Sequence, residues 1–501
     1  MRNYFSCLCF LASLVVVSAC HWDLNDPGTE PHPDEFAFPS TLQLDPDGRH
    51  LFVTSANADL RFGGGMLHIV DTARFECARQ AFAGLPLDAA CDATTAMADG
   101  ASCYRDPSDP AVVDCEENAF ILANSTIKLG NFAGKMVLQR TGPLERTLFL
   151  VVRGDPSITY VDVDWKRDAT RPGILQCTDD LSGLEQRPGY DATTNTSTTP
   201  IPCDASHLLQ RYECKNRLTC TADVEQIPVE PFALALDQGT LPSGAPYAHL
   251  LIAHLFGSEV QLVDTLSRPP VTQFVSDPML DAADTTGRRG AFSLAAPFPG
   301  VYGSNYYLTS NRQSVMATFR LAELGVVLPG PRFSVRGAFA SGSDVRDLQF
   351  EPGGQRAFFT ENLPPSLAVL DTSPATTSTG PGFSRNQVKQ VIGVCPSSSH
   401  FAVHRYADRT RIYVVCFLAG QVMVLDPDLG RVEDTILVGR GPNEIALNFG
   451  DAALDEPNPS KRRGYVSNFS EATIAVLDLD PLSATYNRVI GRIGLPGEVK
   501  R

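Results

Sequence analysis

The sequence predicts an all-β chain, a seven-bladed propeller of four-stranded antiparallel blades with disulfide-rich loop insertions. Three observations predict it. One unit of apolar strands and Asp- or Gly-rich turns recurs from residue 39 to the C-terminus, 39 Gly and 37 Pro favour turns over long helices, and ten cysteines of the body cluster as four, four and two.

The clearest copy of the unit is Val345 to Thr372. Val345 to Phe350 alternates as a half-buried strand, Glu351-Pro352-Gly353-Gly354 supplies turn chemistry, and Arg356 to Thr360 and Leu367 to Asp371 are apolar strands. A fourth strand precedes the next copy. A sheet of this kind must bury both faces against neighbours, so repetition is a physical requirement.

The first copy is TLQLDPDGRHLFVT from Thr41 and MLHIVDT from Met66, with Asp45-Pro46-Asp47-Gly48 as its hairpin turn. An insertion at 73–124 interrupts it before a fourth strand at Ser125 to Gly130. The second copy has strands from Lys135, Thr147 and Ser157, followed by an insertion at 164–223. The third starts at Phe232, the fourth and faintest at Ala291, the fifth at Val345, the sixth at His400 and the seventh at Asn443. Six or eight blades are the alternatives, if the fourth copy is misread or an insertion hides another. In a four-stranded meander, both long insertions and the loops at 237–247 and 450–461 fall on one face, while the chain enters on the other. That decorated face is the expected recognition surface.

The pattern of apolar strand, Asp-Gly turn, LFVT or GYVSN, and a strand ending in Val-Asp or Leu-Asp resembles the YVTN-type propeller repeats of bacterial and archaeal surface proteins. GYVSNFSEATIAVLDLD from Gly464 matches best. The resemblance implies a fold shared by lactonases, quinoprotein-like dehydrogenases and non-enzymatic surface proteins.

At the N-terminus, Arg2, the apolar run Phe10 to Val17 and Val17-Ser18-Ala19-Cys20 resemble the signal and lipobox of bacterial lipoproteins. The resemblance implies a signal peptide at 1–19, acylation of Cys20, and a bilayer partner; His21 after it, where Asp would favour inner-membrane retention, implies the outer membrane. Residues 20–38 are acidic, Pro-containing and aperiodic, as expected of the lipidated Cys and a flexible tether. The propeller then occupies 39–501 and faces periplasm or medium. A net charge of −16 argues against nucleic acid as partner.

Cys7 and Cys9 leave with the signal. Cys77, Cys91, Cys103, Cys115, Cys177, Cys203, Cys214, Cys220, Cys395 and Cys416 remain, an even number expected to form five disulfides within their clusters in an oxidising compartment. No Cys/His quartet with metal-ligand spacing occurs, so no metal or other cofactor is expected. His400 and His404 share a strand face without an evident third ligand and read as ordinary polar or core residues. Asp71, Asp264, Asp371, Asp426 and Asp478 each end a third strand, where Asp accepts backbone hydrogen bonds in a turn. No nucleophile elbow, phosphate loop or His-Glu-x-x-His motif is present.

Polar residues starting the innermost strands, Arg346, Asn443 and Glu444, are the expected contacts of any ligand at the channel mouth. The leading expectation is an envelope binding or scaffolding module for a protein or glycan. The alternative is a lactonase-like hydrolase or quinoprotein-like oxidoreductase acting at that mouth.

Overall fold

The structure, a computed structural model, describes residues 29–497, with breaks at 166–173, 178–189, 214–223, 277–289, 336–343, 375–384, 450–461 and shorter stretches. Seven blades close into a ring, each built in chain order from four antiparallel strands. Blade 1 comprises Pro39–Leu44, His50–Ser55, Gly65–Asp71 and Ile127–Leu129. Blades 2 to 7 have innermost strands Ala133–Arg140, Pro231–Thr240, Leu294–Ala295, Val345–Phe350, Ser398–Tyr406 and Pro442–Asn448. Among the described residues there are two α-helices, α1 (Thr72–Ala83) and α2 (Ala93–Gly100).

Second strands touch the neighbouring blade on both faces, and His50–Ser55 is accordingly buried at every position. Outermost strands meet solvent and alternate, as Gln387–Gly393 does. The packed layers lie between blades: Phe149, Tyr160, Leu250 and Ile252 fill the space between blades 2 and 3. Each such side chain contributes about 1.5–3 kcal/mol by its burial.

The expected turns form. Gly48 N–H donates to Asp45 O at 2.8 Å and Gly354 N–H to Glu351 O at 2.9 Å, with both glycines in the left-handed region. The closing aspartates behave as turn acceptors: Asp264 takes the Leu266 N–H, Asp426 the N–H groups of Asp428 and Leu429, and Asp478 that of Asp480. Asp71 also caps α1 by accepting from Arg74 N–H.

The insertions depart from the expectation of a decorated face. In the first, the hairpin Cys103–Arg105 and Val113–Cys115 lies on the outer edge of blade 7, pairing in parallel with Arg488–Ile493. In the second, Ile201–Pro202 pairs in parallel with the outermost strand of blade 1. Each insertion thus reaches back to the preceding blade as a strap over the rim. The second also interrupts an edge: Ile174–Gln176 pairs with one end of Ser157–Asp164 and Leu208–Leu209 with the other.

The first strap has a mechanical reason. Blade 7 takes the four strands of its meander from the C-terminal end of the chain and blade 1 takes its own from the N-terminal end, so no shared sheet closes the ring. The strap hairpin supplies the missing link, with Arg492 donating to Asp106 at 2.6 Å and Asp114 at 3.0 Å. Phe75 and Phe120 of the insertion pack in one cluster with Leu51 of blade 1 and Ile474 and Ile493 of blade 7.

Among the described residues, four disulfides join the cysteines within their clusters: Cys77–Cys91, Cys103–Cys115, Cys177–Cys203 and Cys395–Cys416. Cys20, Cys214 and Cys220 lie outside the described residues. The distal part of the expected tether is not free. Thr29 bridges to Phe62, Glu30 pairs with Lys128 at 2.7 Å, and Phe36 is fully buried between blades 7 and 1. Burial of one large aromatic ring docks a segment whose composition alone reads as coil.

Candidate functional site at the channel mouth

Six of the seven innermost strands carry a β-bulge near their start, at Pro39/Thr41, Ala133/Met136, Pro231/Ala233, Val345/Leu348, Ser398/Phe401 and Pro442/Ile445. A bulge adds one unpaired residue and re-aims a side chain. In each of these strands the third residue lines the central cavity: Thr41, Lys135, Ala233, Asp347, His400 and Glu444, with Ser293 from blade 4 completing the ring. The cavity holds about 290 Å³.

Neighbouring blades are stitched together at this level. Asn443 Nδ2 donates to Ser40 O at 2.7 Å, Ser40 Oγ to Ala133 O at 3.0 Å and Ser399 Oγ to Asn443 O at 2.8 Å. The ring is therefore rigid enough to present fixed groups.

Four of those groups are ionisable and face one another from blades 2, 5, 6 and 7. His400 Nδ1 lies 3.5 Å from Asp347 Oδ2, and His400 Nε2 lies 3.8 Å from Glu444 Oε2. Both contacts exceed hydrogen-bond length. Among the described residues, His400 Nδ1 and Glu444 Oε2 are buried without a hydrogen-bond partner. Asp347 is different: Leu348 N–H, Ser293 Oγ, Phe401 N–H and Gln349 Nε2 all approach its carboxylate.

The electrostatics follow from this layout. Burial would raise the Asp347 carboxyl, but Lys135 and His400 hold it well below the usual carboxylate range. Burial would lower Lys135 and His400, yet the facing carboxylates, Glu444 first in both cases, carry both above their ordinary values. The result is a charge-balanced floor with Lys135 and His400 as donors and Glu444 as the open acceptor.

Above the floor stand four phenylalanines. Phe132, Phe232, Phe292 and Phe469 come from the strand entries and a second-to-third connection, and all line the cavity. Phe232 and Phe292 meet edge to face at 5.4 Å. Arg153, itself a lining residue, lies over Phe232 at 5.4 Å and Arg346 over Phe292 at 4.3 Å, so two rings of the wall are each held by a guanidinium group.

Of the residues expected at the mouth, Asn443 and Glu444 line the cavity. Arg346 does not reach its floor; it pairs with Asp344 at 2.6 Å and supports Phe292. Lys135, Asp347 and the phenylalanine wall were not anticipated, and His400, read as an ordinary strand histidine, belongs to the site. His404 lies apart, stacked on Phe449 with ring centroids 3.1 Å from each other. Among the described residues no group of three or more His, Cys, Asp or Glu side chains is placed to hold a metal ion.

No protein-family model and no curated protein matches the sequence. Among solved structures, the chain is similar to the periplasmic gluconolactonase of Pseudomonas aeruginosa, at 14% identity over 81% of this chain and 87% of that one, TM-score 0.46. It is also similar to a Bacteroides uniformis protein described as a 6-phosphogluconolactonase, at 13% identity over 80% and 86%, TM-score 0.42. Hydrazine synthase of Kuenenia stuttgartiensis is similar at 10% identity over 93% and 99%, TM-score 0.45. These proteins differ in the activities their names state, and the chemistry of this chain has to be read from its own residues.

Proposed function

We propose that this chain is an exported, lipid-anchored propeller that binds a small polar molecule at the mouth of its central channel. The observation that carries this reading is the convergence of His400 and Glu444 on a cavity of about 290 Å³, with Glu444 Oε2 buried and lacking a hydrogen-bond partner among the described residues. Such an atom is costly to leave unsatisfied, by about 1–3 kcal/mol, and a ligand that completes it recovers that energy. Four disulfides support export to an oxidising compartment, where the lipobox-like leader would deliver the chain to the outer membrane through Cys20. The repeat pattern supports kinship with YVTN-type surface propellers.

The anchor and the mouth share a side on this reading. Thr29 docks beside Phe62, in the second-to-third connection of blade 1, and the chain enters its first strand at the mouth end. The eight residues 21–28 then span at most roughly 30 Å, so the mouth looks toward the membrane and its ligand arrives through that gap.

Hydrolysis at the same site is the second reading. It is favoured by His400 Nε2 and Glu444 Oε2 standing 3.8 Å apart, a spacing that a water molecule could bridge as a nucleophile with a base beside it. Thermal-shift and calorimetric screening of a small-molecule library of mixed charge against the full chain and Glu444→Gln tests the binding reading. Ligands that stabilise the first and not the second support it; hits unaffected by Glu444→Gln and Lys135→Gln refute it. Turnover of a hit, followed by NMR, separates enzyme from binder.

A further inference from the structure

We propose that the channel mouth takes a neutral, single-ring polyhydroxylated ligand: a free monosaccharide or cyclitol, or the terminal residue of a glycan. This rests on the reading that the mouth is the ligand site, and names the class of ligand.

Charge decides against the ionic alternatives. Lys135 and Glu444 face the same cavity, so a ligand carboxylate or phosphate meets Glu444 as a like charge and a ligand ammonium meets Lys135, while Arg153, which also lines the cavity, is paired with Glu230 at 2.7 Å. Asp347 does not break the balance, because His400 faces it at 3.5 Å as a counter-charge and four protein donors already approach its carboxylate. A hydroxyl group escapes both repulsions, since it accepts and donates at once. Placed between His400 Nε2 and Glu444 Oε2, 3.8 Å apart, it accepts from the first and donates to the second. A neighbouring hydroxyl accepts from the Lys135 ammonium.

The wall fits the rest of such a ligand. The C–H face of a sugar ring is apolar, and the four phenylalanines offer it aromatic surface directly above the polar floor. Arg346 over Phe292 at 4.3 Å fixes one of these rings. A cavity of about 290 Å³ lies at the small end of ligand pockets and admits one ring, not a chain of them.

The test is isothermal titration of the full chain with glucose, galactose, mannose and myo-inositol, against glucuronate and glucosamine as charged analogues. At least one neutral ligand should bind, with both charged analogues about tenfold weaker or more. Glu444→Gln should shift preference toward glucuronate by about tenfold relative to the neutral ligand, and Lys135→Gln toward glucosamine by a similar factor. A gain of binding cannot be produced by a variant that merely fails to fold. Oligosaccharides with blocked reducing ends separate the two sources: binding of the monosaccharide with the oligosaccharide excluded assigns a free ligand, and binding of the oligosaccharide, equal to the monosaccharide or tighter, assigns a glycan end. A charged analogue bound more tightly than every neutral one, or variants that leave the preferences unchanged, would overturn the inference. So would the absence of any sugar binding; if a different compound then binds in a Glu444-dependent way, the mouth stands as the ligand site and only its class is wrong.

Discussion

Arg463 Nη2 donates to Glu76 Oε1 at 2.9 Å, joining blade 7 to the insertion of blade 1 across 387 residues of sequence. Glu76 is 1% exposed and also receives Arg79 at 2.6 Å. Burial would raise its carboxyl, but Arg79 and Arg463 together hold it below its ordinary value. The pair is thus a buried clasp at the seam of the ring. Glu76→Gln leaves Arg79 without its carboxylate and Arg463 with Asp478 alone, at 2.8 Å, and is expected to lose about 1–3 kcal/mol in denaturant melts. Glu76 contributes stability above its unfolded value of 4.5, and that contribution is lost as pH falls through the lower folded value. The variant should therefore flatten the acid limb of the stability curve, whereas Asp59→Asn, in an exposed pair with Arg61, should leave it unchanged.

The strap makes a second, steric prediction. A Cβ on Gly491 would stand 2.6 Å from Val113 O and 2.9 Å from the Phe75 ring, so glycine is required where the strap backbone crosses blade 7. Gly491→Ala is expected to push the hairpin off the edge. Hydrogen exchange should then quicken in Val113–Cys115 and in Arg488–Ile493 together, with the strands of blade 4 unaffected. Exchange that changes in one of the two strands only would mean that they are not one cooperative unit.

The blades were legible because each second strand is an apolar run and five of the third strands end in a turn-forming Asp, both local signals. The floor of the channel was not. At Arg346 and Asp347, adjacent residues compete for the same cavity, and a single bulge decides which of them enters. Slippage by one residue exchanges the faces of a strand, and no turn residue marks the bulge. His400 could have been found by aligning the copies on their strand starts, since it occupies the same third position as Glu444. The first rim strap rests on parallel pairing between Val113–Cys115 and residues nearly four hundred positions away, for which the sequence carries no local sign.

Arg346 tests the bulge argument directly. Because it braces Phe292 and pairs with Asp344 without reaching the floor, Arg346→Ala should weaken a mouth ligand by only a few-fold, through a loosened wall. Asp347→Asn should act through the floor, by releasing His400 and Lys135 from one of their two counter-charges. Calorimetric affinities for the two variants, measured with whichever ligand the screen supplies, should rank in that order. The reverse ranking would mean that residue 346, not 347, faces the ligand.

Three strand histidines, His68, His400 and His404, offer the sharpest check on the electrostatics. His68 is pushed down to about 3 and His404 to about 4, in both cases chiefly by burial with no facing carboxylate to offset it. His400 is buried as well, but Glu444 and Asp347 more than compensate, and it titrates above its ordinary 6.5. Its raised value stabilises the fold fully below pH 6.5, and that contribution disappears as pH rises through the folded value. In histidine-labelled NMR, the His68 and His404 ring signals should stay fixed between pH 5 and 8 while His400 moves, with its midpoint above 6.5. Glu444→Gln should bring that midpoint down, because the first of the two counter-charges is gone. A His400 midpoint that ignores the substitution would separate the two side chains electrostatically and remove the donor–acceptor pair on which the ligand site is built.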